Sequence, residues 1–383
     1  VQRYYDLTVR LLLITFVCFI YYTFLTFNFL TPEKSTFNDD FPNYYFAGLR
    51  FFNGLPVYGA LKHDVFTHLG IENYQAYATD PPLTVFLLNV VSIFDYQISW
   101  WLFIALSVVC LFSAITLFLD EYDFSLNTRL ALLSICFISQ PFLFLLKKNH
   151  FESILLLLFV LGFKAFKKQR EGIGIFWWSV AGSLKLFPIV WLLAVPNRTF
   201  LKRILYCLGT LLGSLTLGAI LLGINNTVDF FTVALPASAF WQGSVGNYSI
   251  ISFAAALGSY NLGIAILVLS GFLVLIWNRK TKSNVESELT IIAASLLLSP
   301  LCWINYFILL LPLFIKEIAD YLSSRTLFKS LRVCLVSLFI FYPTVIKFSL
   351  DLLTILASFV PLSLLLFLTF LPSKESKNWI GKI

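Results

Sequence analysis

Long apolar runs recur along this chain, and they limit what it can become. Residues 100–119 and 204–224 each pass without one charged side chain, at a length that matches the hydrocarbon thickness of a bilayer. Charged residues make up only 12% of the 383 positions, against about 25% in a soluble domain. So few charges cannot clothe a water-facing surface of this size. The pattern predicts an all-α, polytopic helix bundle, one membrane domain over 1–383. Hydropathy divides it into about 10–12 membrane segments.

The formal net charge of +7 does not point to nucleic acid. The basic residues sit in short loops, where they set orientation and meet anionic membrane lipids. Arg3 and Arg10 lead the first run, 9–30, which predicts a cytoplasmic N-terminus. That run is too long for a signal peptide, and no small-residue cleavage site follows it. Residues 31–80 then form an outward-facing loop. Within it YYFAGLRFF predicts a short amphipathic helix lying on the membrane interface, ended by Asn53-Gly54. Pro81-Pro82 opens the next segment, to about 94.

Two apolar segments, 130–146 and 154–166, flank KKNHFE. Lys164, Lys167, Lys168 and Arg170 follow and read as cytoplasmic, which leaves Lys147 and Lys148 on the outer side. Segment 173–195 is interrupted by Lys185 and Pro188 and has basic residues on both flanks. A hairpin of two half-helices, entering and leaving on the cytoplasmic side, satisfies both. Beyond the span 204–224, residues 225–247 form a second outward loop. The remaining segments are 250–277, bent at Gly258-Ser259, then 289–314, 327–342 and 350–371, with Lys374 and Lys377 cytoplasmic.

Residues with chemical potential concentrate where apolar runs break. Asp39 and Asp40 precede the aromatic helix that carries Tyr44. A carboxylate at such an edge is partly desolvated and suited to act as a base, while its neighbour caps the helix. Lys185 is costly inside hydrocarbon, and its natural partner is a phosphate or a carboxylate. Lys147, His150 and Glu152 make a compact polar cluster that fits a lipid phosphate, though a local turn would also use them. Asn247 and Ser249, with Trp241 and Gln242, offer neutral donors and a stacking face for a sugar. Trp303, Asn305 and Tyr306 follow Pro300 and would line the same cavity, or form an interface belt.

Absences narrow the chemistry. No phosphate-binding GxxxxGK[ST] loop, dinucleotide glycine pattern, HExxH or CxxCH occurs. The six cysteines lie in apolar runs and the three histidines are scattered, so neither a disulfide framework nor a metal site is expected. His63 and His68, with Asp64 between them, are a weak metal pattern at most. With no nucleotide-sugar domain, an activated sugar would have to arrive on a lipid.

DFPNYYFAG with FFNGLPVY, DPPL, KNHFE, LKLFP, GNYSI and LLSPLCWINYFILLLP follow one another in order. In this order the chain resembles glycosyltransferase family 87, the polyprenyl-phosphate-mannose-dependent mannosyltransferase-like membrane proteins of the C-type (GT-C) fold. The resemblance implies that Asp40 is the acidic residue of the outer loop. It implies a polyprenyl-phosphate sugar donor and a glycolipid or glycan acceptor outside the cytoplasm, at the cell membrane. Two departures stand out. The glycine-glutamine pair before the KNHFE position is missing, and the late block reads Cys302-Trp303-Ile304-Asn305-Tyr306, without the family's histidine.

The expected reaction is a direct displacement. Asp40 takes the acceptor's proton, and phosphate leaves toward Lys185, Lys147 or His150. Asn247 and Asn305 touch sugar or phosphate, with Asp39, Glu152, Tyr44, Trp303 and Tyr306 in support. A phosphate leaving group needs no metal on chemical grounds and no cofactor. A transporter or flippase for a lipid-linked solute, or a non-catalytic subunit of an envelope-assembly complex, would account for the same breaks and charges.

Overall fold

The computed structural model describes residues 40–59, 61, 64, 78–239, 241, 247–256, 258–280 and 285–341. The first apolar run, Asp39, His63, His68, Gln242, the run 350–371 and the lysines after it lie outside the described residues. In order come α1 (Phe41–Phe52), α2 (Pro82–Leu88) with a 3-10 turn Asn89–Ile93, α3 (Tyr96–Leu119), α4 (Leu126–Phe137), α5 (Gln140–Lys148), α6 (Glu152–Lys167) and α7 (Glu171–Leu184). A 3-10 stretch, Phe187–Ala194, leads to α8 (Phe200–Leu221). Then come α9 (Ile224–Asp229), a π turn, α10 (Leu235–Ala239), α11 (Ile250–Ala256), α12 (Tyr260–Lys280) and α13 (Val285–Leu298). A 3-10 stretch Ile304–Leu310, α14 (Leu311–Ser323) and α15 (Leu327–Phe341) complete them. Among the described residues there is no strand.

Among the described residues two helices, α3 and α8, are long and apolar enough to cross a membrane. The pair α4 and α5, bent by 45°, makes a third when taken as one span. The bend has a local cause. Pro141 lacks an amide hydrogen, and in a continuous helix its ring would strike the carbonyl of Phe137. Ser139 meets the freed end of α4 by donating its hydroxyl to the Cys136 carbonyl at 2.7 Å. Among the described residues the other apolar stretches are shorter or broken.

The bundle is organised by α3, α6 and α7. Helices α3 and α6 run side by side in the same direction. Ser107 donates to the His150 carbonyl at one end, and Lys164 to the Leu117 carbonyl at the other. Helix α7 returns against α6. Trp178 donates from Nε1 to the Phe159 carbonyl at 3.1 Å, and its ring stacks on Phe159 with centroids 5.4 Å apart. Between lipid-facing helices apolar burial contributes little, and close packing holds the elements together. Gly162 allows that packing, because a Cβ there would stand 2.3 Å from the Trp178 ring.

The expected hairpin is present. Helix α7 ends at Leu184, Lys185 is extended, and Phe187–Ala194 runs back along α7 with Ile189 against Gly182. Arg198 pairs with Glu171 at 2.5 Å, so both ends of the hairpin meet on one side. Trp191 anchors the returning limb, donating to Ser295 Oγ of α13 at 2.9 Å. Helix α8 lies outside, with Leu201, Leu205, Leu208, Leu212 and Ile220 exposed, as a lipid-facing helix requires.

One expectation gains detail and one needs correction. The aromatic face of α1 packs on protein. Phe41 meets the rings of Tyr96, Trp100 and Phe103 at 5.3 to 5.7 Å, and Ser92 donates to the Tyr45 carbonyl at 2.6 Å. The amphipathic pattern shows that one face is covered, without saying by what. The stretch from 225, expected as a loop, is helical through Ala239.

Candidate functional site

The site forms where α5, α6 and α7 all reach the same end of the bundle. Asn149 closes α5 in the left-handed conformation, φ 53°, which asparagine tolerates better than most residues. Its side chain donates to the Trp100 carbonyl at 3.1 Å, and the His150 amide donates to the Leu145 carbonyl at 3.2 Å. This tight turn places His150 two residues before α6. Glu152 opens α6, where the helix dipole favours a carboxylate. From across the chain, the Asp40 amide donates to the Lys148 carbonyl at 3.2 Å.

The side chains then link in series. His150 Nε2 lies 2.6 Å from Asp40 Oδ2. His150 Nδ1 lies 3.3 Å from Glu152 Oε1 and 2.9 Å from the Tyr44 hydroxyl. Lys185 donates to Glu152 Oε1, and its ammonium sits 4.2 Å from the centre of the Tyr306 ring and 4.9 Å from that of Phe151. Tyr306 stacks on Phe187, directly after the hairpin break, at 5.3 Å. Asp40 and Lys185 therefore belong to one continuous polar chain. Glu152 is fully buried, and its second oxygen has no hydrogen-bond partner among the described residues. Asp40 holds the N-cap position of α1 without capping it, because its carboxylate goes to His150.

The loop residues have shifted proton affinities. Burial alone would lower His150, but the charges of Glu152 and Asp40, with their hydrogen bonds, raise it to about 9. Burial alone would raise Asp40, yet the charge and hydrogen bond of His150, helped by Lys148 and Lys185, bring it below its ordinary value. At neutral pH His150 is therefore a cation between two anions.

The other expected residues divide. Asn305 is buried in the 3-10 stretch beside Tyr306, and its Nδ2 has no hydrogen-bond partner among the described residues. Asn247 is fully used as a structural pin. Its Oδ1 accepts from the Cys302 amide at 2.8 Å and the Ser249 amide at 3.2 Å, and its Nδ2 donates to the Trp241 and Pro300 carbonyls. Trp303 is half-buried with its ring 6.5 Å from that of Trp241. Lys147 is exposed, and it is the charge of Lys148 that reaches Asp40. Among the described residues no three His, Cys, Asp or Glu side chains form a metal-binding group.

Sequence reading passed over Asp80. It stands immediately before Pro81-Pro82, and its carboxyl lies in the field of Lys185 and His150 on one hand and Glu152 and Asp40 on the other. The available signal was an acid directly ahead of a proline-started helix at a membrane edge.

Apolar helices of membrane length, and a charged cluster where they break, define an all-α membrane protein built around a polar site. The model of glycosyltransferase family 87 matches residues 78–300, more than half of the chain. The chain belongs to glycosyltransferase family 87, and the protein is a membrane glycosyltransferase. No curated protein and no solved structure gives a significant match. The matched stretch includes Asp80, His150, Glu152 and Lys185; Asp40 and Tyr306 flank it.

Proposed function

We propose that the protein transfers a hexose, mannose in the first instance, from a polyprenyl-phosphate donor to a hydroxyl of a glycolipid or glycan. The transfer takes place at the outer face of the cell membrane within a GT-C-type bundle. The observation that carries the reading is the continuous chain Asp40–His150–Glu152–Lys185, which joins a proton acceptor to a buried cation. Its sidedness has separate support. The opposite end of α3 and α6 gathers Arg129, Lys164 and Lys167. Arg198 closes the hairpin at that end, and α8 begins there with Lys202 and Arg203. Excess basic residues favour the cytoplasmic side, which leaves the Asp40 end outside.

In this mechanism the acceptor oxygen gives its proton to Asp40 and attacks the anomeric carbon. The bond from that carbon to the phosphate oxygen breaks with inversion. Lipid phosphate leaves with the electron pair, its charge met by Lys185 and protonated His150. Phosphate is a good leaving group and needs little acid help. No metal or cofactor enters these steps.

The test uses the purified protein in liposomes with a panel of polyprenyl-phosphate sugars, with products read by mass spectrometry. Transfer by the wild type and its loss in Asp40→Asn are expected. Full activity in Asp40→Asn would remove Asp40 from the reaction. A flippase or transporter would move the lipid-linked sugar between leaflets without forming a new glycosidic bond, and the same products decide that point.

A further inference from the structure

We infer that Asp80 is a second substrate-facing carboxylate of this site, which accepts hydrogen bonds from hydroxyls of the transferred sugar and thereby selects it. The inference rests on the transferase reading above.

Placement comes first. The turn carrying Asp80 is fixed against the hairpin break. The Thr84 hydroxyl donates to the carbonyls of Ser183 and Leu184, the two residues before Lys185. The Tyr58 hydroxyl donates to the Asp80 carbonyl at 2.8 Å. Pro82 lies on α8 so closely that a Cβ on Gly218 would stand 2.7 Å from it. These contacts hold the turn that carries Asp80 beside the hairpin break at Lys185.

Charge comes second. Asp40 is engaged by His150, and Glu152 by Lys185 and His150. Asp80 is a third acid in the same field among the described residues. It is half-buried, and its carboxylate makes no hydrogen bond or ion pair among the described residues. A carboxylate partly removed from water in that position gains from further donors. Phosphate cannot provide them: it carries the same sign and is drawn to Lys185 and His150. A neutral ring with adjacent hydroxyls can, since one carboxylate accepts two hydrogen bonds from such a pair. Phosphate by the cations therefore leaves the sugar ring on the side of Asp80.

The experiment compares wild type, Asp80→Asn, Asp80→Ala and Asp40→Asn in liposomes. The donors are the best polyprenyl-phosphate hexose and a set of its mono-deoxy analogues. Asp80→Ala is expected to lower kcat/KM for the parent donor by about 10- to 100-fold, the worth of hydrogen bonds to a charged group. The loss should shrink for the analogue lacking the contacted hydroxyl. Asp40→Asn should instead lower kcat for every donor alike. Melting in detergent reports folding, and if the alanine variant unfolds, the isosteric asparagine variant decides. An unchanged kcat/KM within about twofold for all donors, or an equal loss on all of them, would overturn the assignment. Absence of transfer by the wild type from every donor would remove the transferase reading, and this inference with it.

Discussion

His150 and Asp40, 110 positions apart in the chain, meet at 2.6 Å between Nε2 and Oδ2. On its other side the same imidazole reaches Glu152, which holds Lys185. A proton acceptor that works through an oriented partner loses its geometry when the partner is removed. His150→Gln should therefore reduce kcat/KM by about 10²- to 10⁴-fold, the usual contribution of positioned acid-base groups. Glu152 keeps Lys185, so the variant should still be purified folded. Transfer rate and detergent melting temperature, measured together, check this; a fully active His150→Gln would show that Asp40 needs no such partner.

The same pair sets a pH dependence. Burial disfavours the charged imidazole, but Glu152 and Asp40 raise it from 6.5 to about 9. The folded protein holds that proton more tightly than the unfolded chain does. The resulting stability is fully present below about pH 6.5 and is lost as pH rises through about 9. Asp40 has the opposite sign. Burial raises its proton affinity, but His150, Lys148 and Lys185 more than reverse that, so its contribution is present above 3.8 and lost as pH falls further. Melting temperature should fall on the alkaline side between these two His150 values, and His150→Gln should flatten that limb.

Lys185 and Glu152 form a buried pair, with side chains 11% and 0% exposed. Removing Lys185 leaves Glu152 with His150 as its one remaining cation among the described residues, and breaking a buried pair in this way costs up to about 3–5 kcal/mol, whereas replacing both partners with apolar groups is often neutral. Lys185→Met should be destabilised, and the double variant Lys185→Met with Glu152→Leu should regain part of the loss, since His150 keeps Asp40 but loses Glu152. Neither should transfer sugar if Lys185 meets the leaving phosphate. Denaturation in mixed micelles, paired with the transfer assay, separates the two roles.

Much of the scaffold could be read locally. Prolines and charges interrupting apolar runs announced the start of α2 and the hairpin at Lys185, because both act through the backbone of their own segment. The bend at Pro141 carried the same kind of signal, yet the hydropathy of the flanking residues masked it. What covers α1 was not legible, since an amphipathic face looks alike against lipid and against Tyr96 and Trp100. The meeting of Asp40 with His150 depends on a left-handed turn at Asn149 and on the parallel run of α3 and α6. No local periodicity encodes either. Lys147 and Lys148 are adjacent in sequence, and only the orientation of α5 decides which charge reaches Asp40. Asp80 escaped because its role depends on where α2 docks, on carbonyls about a hundred residues away.

The close approach of α6 and α7 gives a prediction independent of any chemistry. Trp178 is fixed by its hydrogen bond to the Phe159 carbonyl, by stacking on Phe159 and by an edge contact with Phe166 at 4.7 Å. A methyl on Gly162 would meet that ring at 2.3 Å, and the Gly174 carbonyl at 3.2 Å limits retreat. Overpacking of this kind costs about 1–3 kcal/mol. Gly162→Ala should lower the melting temperature. Because the far end of α7 carries Lys185, it should also slow transfer. Gly209 on α8 is the control. Nothing lies within 4 Å of a Cβ there, so Gly209→Ala should leave activity unchanged and stability equal or higher, as alanine is the better helix former by about 1 kcal/mol. Equal melting temperatures for the two variants would show that the α6–α7 contact is looser than the Trp178 geometry requires.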